Sequence, residues 1–183
     1  QVITDGVTEL EVQGEVTRAM CAAGGEMQAM LMPVLSGPKS NATHALSTRK
    51  KIRKGETVTL DLSGVYQRYH INSARTYCVG EPAADVLDVS QRASSAMDVV
   101  RGCLRPNLPV SELNQAVIAY YKQEGLWECR GCIGGYEMGI SFHSDWVGNF
   151  VYDPLAEKNQ DARFEPGTAV NHEILMFLPR HTG

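Results

Sequence analysis

The run Thr57–Gly80, TVTLDLSGVYQRYHINSARTYCVG, constrains the fold more than any other stretch of this chain. Val58 to Leu62 alternates β-branched and aliphatic residues in the manner of a strand that ends at Ser63-Gly64, and Tyr66 to Val79 reads as its return partner. Asp61 stands in this strand between Leu60 and Leu62. Removing a lone carboxylate from water is costly, so something must offset it: a metal, an organic cation or a substrate amine. The plain alternative is an Asp that caps the turn at Gly64.

The remaining elements follow from local signals. Thr8-x-x-Glu11 predicts a capping box, and Val12, Val16, Met20, Ala23, Met27 and Leu31 recur at helical spacing until Pro33. The methionines read as core filler. Residues 36–42 are a loop by composition, and Arg49 to Lys54 is a basic run expected to form a solvated turn closed by Gly55. After Gly80-Glu81-Pro82, Val86 to Leu104 marks a second amphipathic helix, and a third starts near Ser111 and ends by Gly125. Residues 131–152 look strand-like with loops, residues 159–167 form a polar connector, and Thr168 to Leu178 is a last strand. Glu173 sits in it among Val170, Ile174, Leu175 and Phe177, a second acid in an apolar run. The layout is α+β, with helices on one side of a curved, mainly antiparallel sheet.

Length and composition bound the function. A chain of 183 residues suits one sizeable domain. With 43% hydrophobic and 21% charged residues it has an ordinary globular composition, and no apolar run approaches a membrane span. The net charge of −4 gives no electrostatic case for nucleic acid or an anionic membrane. Five scattered cysteines predict reduced thiols and a cytoplasmic protein. Cys129-x-x-Cys132 lacks a second pair, which favours structural thiols over a redox or zinc site. The chain opens inside a helix signal and stops just after an apolar run, as expected of a piece cut from a longer protein.

The order His44-Ala45, DLSGVYQRYHINSARTYCVGEP, GYEMGISFH and FEPGTAVNHE resembles the pita-bread catalytic domain of methionine aminopeptidase, Xaa-Pro aminopeptidase, prolidase, creatinase and ectoine hydrolase. The resemblance runs from about Thr8 to the end. It implies a single pita-bread domain over 1–183, truncated at both ends, with an N-terminal domain and a final acidic strand missing. It also implies a homodimer for the full-length protein. The peptidases of that family hold two metal ions with two Asp, one His and two Glu. Position by position, the first Asp falls on Asp61, the second on Asn72, the His on Tyr136 and the first Glu on Glu173; the last Glu lies beyond Gly183. Two ligand positions are thus substituted, leaving Asp61 and Glu173 as remnants. A neutral amide and a phenol are poor substitutes for a carboxylate and an imidazole. His70, His143, His172 or Asp145 are the candidates for a rearranged metal site.

The two histidines that the family uses on substrate are kept, as His44 and His143. The resemblance is closer to creatinase and ectoine hydrolase, through Arg68-Tyr69-His70, Gly135-Tyr136, Phe142 and Asp145-Trp146; Glu173 departs from the ectoine type. The expected function is a metal-independent hydrolase of a C–N bond in a small cationic or zwitterionic substrate, with no cofactor. His44, His143 and Glu173 are the catalytic candidates. Asp61, Asn72 and Tyr136 are the substrate-binding ones. The first alternative is a metal-dependent Xaa-Pro dipeptidase or aminopeptidase using Mn, Co or Zn. The second is a non-catalytic pita-bread binding module.

Overall fold

Thr8 starts helix α1 (Glu9–Ala22) as its capping box predicts: Glu11 N–H donates to Thr8 Oγ1 at 3.2 Å, and Thr8 N–H donates to Glu11 Oε2 at 2.8 Å. The computed structural model describes residues 2–178 apart from Met32, 145–149 and Glu157. The helix does not reach Leu31. Gly24 turns left-handed at φ +87°, a region reserved largely for glycine, and Gly24 and Gly25 N–H donate back to Cys21 and Met20 carbonyls at 3.0 and 2.9 Å. This is a Schellman stop, set well before Pro33. Met27 and Leu31, expected on the helix, are 61% and 64% exposed.

Strand β1 (Val34–Ser36) precedes a 3-10 turn at Gly37–Asn41, where a loop was expected. Strands β2 (Thr57–Tyr66) and β3 (Tyr69–Cys78) form the central hairpin, and the sheet order is β1-β2-β3, antiparallel throughout. The predicted break at Ser63-Gly64 is absent, because Gly64 is a regular ladder residue opposite Ile71. The reversal falls instead on Gln67 and Arg68, at φ 48° and 63°. Two left-handed residues make the primed turn that matches strand twist. Glu26 secures it, accepting Gln67 N–H at 2.7 Å and Arg68 N–H at 3.3 Å. Gln67→Gly is expected to stabilise the protein by about 0.5–1 kcal/mol, the relieved left-handed penalty less glycine's extra chain entropy; urea denaturation checks it.

Val12, Val34, Ile52, Val58, Leu60 and Val79 form the core under this hairpin. Ile52 belongs to the basic run read as a solvated turn. It is fully buried, and its N–H donates to Val7 O at 2.8 Å. Of the neighbouring lysines, Lys51 is exposed and the half-buried Lys50 pairs with Glu56 at 2.7 Å. These elements belong to one compact unit, Gln1–Ala83 with Gly139–Trp146.

A second compact unit covers Ala84–Met138 and Val147–Leu178. Helices α2 (Ala84–Cys103) and α3 (Val110–Gln123) contribute Ala93, Ala96, Val100, Leu113, Val117 and Tyr121 to its core, which Tyr152 and Phe164 help to fill. Strand β4 (Leu108–Pro109) pairs with β7 (Arg163–Phe164), so the connector expected over 159–167 contains a paired strand, anchored by the burial of Phe164. Strands β5 (Gly135–Met138), β6 (Val151–Tyr152) and β8 (Ala169–His172) form a sheet in the order β6-β5-β8. A Cβ at Gly135 would lie 1.8 Å from Asn171 O, so this close approach admits only glycine. The last strand is regular only to His172, yet its hydrogen bonding continues: Glu173, Leu175 and Phe177 N–H donate to Gly134, Cys132 and Cys129 carbonyls. Two residues there oppose three, as at a bulge. Three α-helices and uniformly antiparallel pairing among the described residues make the α+β class expected from the sequence.

Candidate functional site

His44 and His143 line one cavity of about 250 Å³, together with Met30, Leu31, Pro33, Ala45, Leu46 and Ser144. Both imidazoles are exposed. His44 sits at φ +64°, a left-handed backbone that costs a non-glycine residue about 1 kcal/mol or more and clusters at functional positions. Among the described residues the walls are mostly apolar, with the two imidazoles and Ser144 as their polar side chains. This fits a small substrate whose reacting group lies against imidazole while its carbon skeleton meets methionine and leucine.

Glu9 holds the loop that carries His44, a role the sequence reading missed. Its side chain is fully buried at the start of α1. It accepts from Ser36 N–H and Oγ–H at 2.9 Å, Thr48 N–H at 2.9 Å, Thr48 Oγ–H at 3.0 Å and Lys39 Nζ at 2.7 Å. Burial alone would raise its pKa; the Lys39 ammonium, the Thr48 amide and the two hydroxyls outweigh that and hold the carboxyl below its ordinary value. Lys39 also donates to Leu46 O at 2.5 Å, in the cavity wall. The signal available in the sequence was an acid at the first turn of a helix, which reads as a solvated dipole partner.

Asp61 and Asn72 share a face of the hairpin. Asp61 lies opposite Ala74 and Asn72 opposite Ser63, so the two are diagonal neighbours. Asp61 is half-buried rather than sealed, which lowers the cost inferred from its sequence setting. The alternative of a cap at Gly64 falls with the missing turn. Asp61 N–H donates to Pro33 O at 3.2 Å, tying this face to the cavity wall. Ser63 lies between them, its Oγ buried and without a hydrogen-bond partner.

In the second unit Tyr136 is buried on β5, directly opposite Asn171. Asn171 Nδ2 donates to Glu173 Oε1 at 3.2 Å, so Tyr136, Asn171 and Glu173 make a second polar face. Asn171 was not singled out in the sequence. Burial, with the Glu173 carboxylate adding to it, pushes the Cys132 thiol up to about 11, although the residue as a whole is exposed. Cys129 Sγ donates to Leu126 O at 3.3 Å. A thiol held protonated by burial is a poor ligand or nucleophile, in keeping with a structural role for Cys132.

Of the candidates for a rearranged metal site, His143 lines the cavity, while His70 and His172 are packed side chains. His70 is fully buried; its Nε2 accepts from Ala29 N–H at 3.0 Å, which leaves Nδ1–H to donate to Arg68 O at 2.9 Å. His172 stacks on Tyr152 with centroids 6.0 Å apart, contacts its hydroxyl through Nδ1 at 3.2 Å, and is driven to a pKa of about 4 by burial. Asp145 and Trp146 lie outside the described residues.

Two divalent cations held side by side need several anionic donors. Among the described residues no three His, Cys, Asp or Glu side chains gather so as to hold an ion. Asp61 shares its face with a neutral amide and a hydroxyl, Glu173 its face with an amide and a phenol. Among the described residues, these two faces offer one carboxylate each, fewer anionic donors than a pair of divalent cations needs.

Comparison with known proteins agrees on the scaffold. The Xaa-Pro dipeptidase from Bacillus anthracis superposes with a TM-score of 0.82 at 27% identity, covering 97% of this chain and 48% of that one. The prolidase from Pyrococcus furiosus gives 0.84 at 23%, over 98% and 51%. The probable dipeptidase PepE of Mycobacterium tuberculosis is 26% identical over 184 positions, 100% of this chain and 47% of that protein. The chain spans about half the length of the curated relatives it matches. No helix among the described residues is long and apolar enough to cross a membrane. The pita-bread arrangement of these neighbours is the fold found here, and the family model matching residues 1–183 makes the conclusion plain: the chain belongs to metallopeptidase family M24.

Proposed function

We propose that this domain hydrolyses a C–N bond of a small substrate by imidazole chemistry, without a resident pair of metal ions. The observation that carries this reading is the meeting of His44 and His143 in one small cavity. His44 takes a proton from water as the water oxygen bonds to the scissile carbon. The C–N bond then breaks, and the leaving nitrogen receives a proton from His143, which the transferred proton on His44 replaces through solvent. Histidine suits both halves because its ordinary pKa lies close to neutral pH. The apolar walls hold the carbon skeleton. Asp61 and Asn72 are the groups we assign to a cationic or amide end of the substrate.

A second reading, a metal-dependent dipeptidase acting at Xaa-Pro bonds, is favoured by the names of the relatives, one of them a Xaa-Pro dipeptidase at 27% identity. One experiment separates the two. A panel of Xaa-Pro dipeptides, cyclic amidines and guanidino acids is assayed with added Mn, Co or Zn and with chelator, alongside metal analysis of the purified protein. The expected result is turnover of a non-peptide member that chelator does not change. Two stoichiometric ions, with activity abolished by chelator, would sink the imidazole reading. A specific protein partner, with no thermal shift from any compound, would favour a binding module.

A further inference from the structure

We infer that Arg68 and His70 are positioning residues that lock the two walls of the His44–His143 cavity to the tip of the central hairpin. The inference deepens the proposed hydrolase, since it concerns the placement of His143, but it stands on contacts that do not depend on any reaction.

Five hydrogen bonds reach the two walls. Arg68 Nη1 donates to Met27 O at 2.7 Å, and Nη2 donates to Ser141 O at 3.1 Å. One planar cation therefore bridges the segment leading to Met30 and the segment leading to His143. Its Cζ lies 5.4 Å from the Phe142 ring centroid, and Glu26 balances its charge at 3.4 Å. His70 repeats the pattern one step along the strand. Its N–H donates to Gly139 O at 2.9 Å, while its Nε2 accepts from Ala29 N–H at 3.0 Å. Arg68 O closes the set, accepting from Ser141 N–H at 3.0 Å and from His70 Nδ1–H at 2.9 Å. Each wall is thus held at two points: Met27 and Ala29 on one, Gly139 and Ser141 on the other. Ala29 immediately precedes the cavity residue Met30, and Ser141 lies two residues before His143.

A buried imidazole is a poor device for stability alone. A phenyl ring would fill similar volume without the cost of desolvating two nitrogens. What the imidazole supplies is orientation, because each nitrogen has one partner and the ring can satisfy both in one tautomer only. Arginine likewise reaches two separated carbonyls through a rigid planar fork, a geometry that lysine's single nitrogen does not reproduce.

The test needs no substrate. Amide hydrogen exchange and the ring C–H resonances of His44 and His143 are measured in the wild type, Arg68→Lys, His70→Phe and His70→Gln. In the wild type the Ala29 amide is protected. His70→Phe speeds its exchange about tenfold, the factor that one net hydrogen bond is worth. His70→Gln, whose side-chain oxygen reaches the Nε2 position, restores protection. Arg68→Lys shifts the His143 resonance and leaves that of His44, which hangs on the Glu9 network, in place. Val58 and Leu60 amides stay unchanged in all variants. A freely exchanging Ala29 amide in the wild type, or an unmoved His143 resonance in Arg68→Lys, overturns the inference, and both hold even where His70→Phe does not fold. Should these shifts occur while loss of His44 leaves turnover intact, the catalytic reading fails and the positioning role survives.

Discussion

His44→Asn is expected to lower turnover by about 10²–10⁴-fold, the range for losing a positioned proton-transfer group, with no change in the thermal unfolding midpoint. Asparagine is the informative replacement. His44 stands at φ +64°, and asparagine tolerates that backbone better than alanine does. The variant therefore removes the proton carrier without adding strain. His44 is exposed at the cavity, so its loss opens no hole in the core. Hydrolysis rates under saturating substrate, paired with a thermal melt, measure both effects. A retained rate would show that the imidazole is a bystander. His143→Asn is expected to act in the same direction, and a smaller loss there would assign His143 to polarising or binding the scissile group.

Much of the scaffold was legible because hydrophobic period and breakers are local. The capping box at Thr8, the hairpin and both later helices follow from side chains within a few residues of one another. The misses, apart from the end of α1, share a physical cause: each depends on a contact far along the chain or on backbone geometry that composition does not encode. The turn at Gln67-Arg68 uses left-handed residues that are not glycine, secured by Glu26 from another segment. The end of α1 was masked because Met27 and Leu31 continue the helical spacing by chance, while a glycine pair decides the stop. Ile52 hid inside a basic run, and β7 inside a polar connector. At the site, Asp61 stood out as an acid in an apolar run, whereas the positions of His44, His143 and Asn72 came from family resemblance, which places residues but not their surroundings. That Asp61 is half-buried, that His70 is consumed by two hydrogen bonds, and that Glu9 supports the His44 loop are long-range facts.

Removing the Glu9 carboxylate is expected to destabilise the protein by about 3–5 kcal/mol, the range for breaking a buried pair and stranding its partners. Glu9→Ala leaves the Lys39 ammonium without its counter-ion and deprives two backbone amides and two hydroxyls of an acceptor. Replacing both charges at once, Glu9→Leu with Lys39→Met, is expected to cost less than the sum of the single changes, because no charge is then left uncompensated. Urea denaturation of the four proteins reads the coupling directly. The same network predicts an acid limit. The Glu9 carboxyl is held below its ordinary value of 4.5 in the folded state, so the unfolded chain binds the proton first as pH falls. The stabilisation is therefore complete above about pH 4.5 and lost as pH drops through the lowered folded value. Glu9→Gln, which cannot titrate, flattens that part of the stability profile, and the difference between its curve and the wild type's isolates the contribution of this one carboxylate. Equal acid sensitivity in the two proteins would place the titrating group elsewhere and remove Glu9 from the support of the His44 loop.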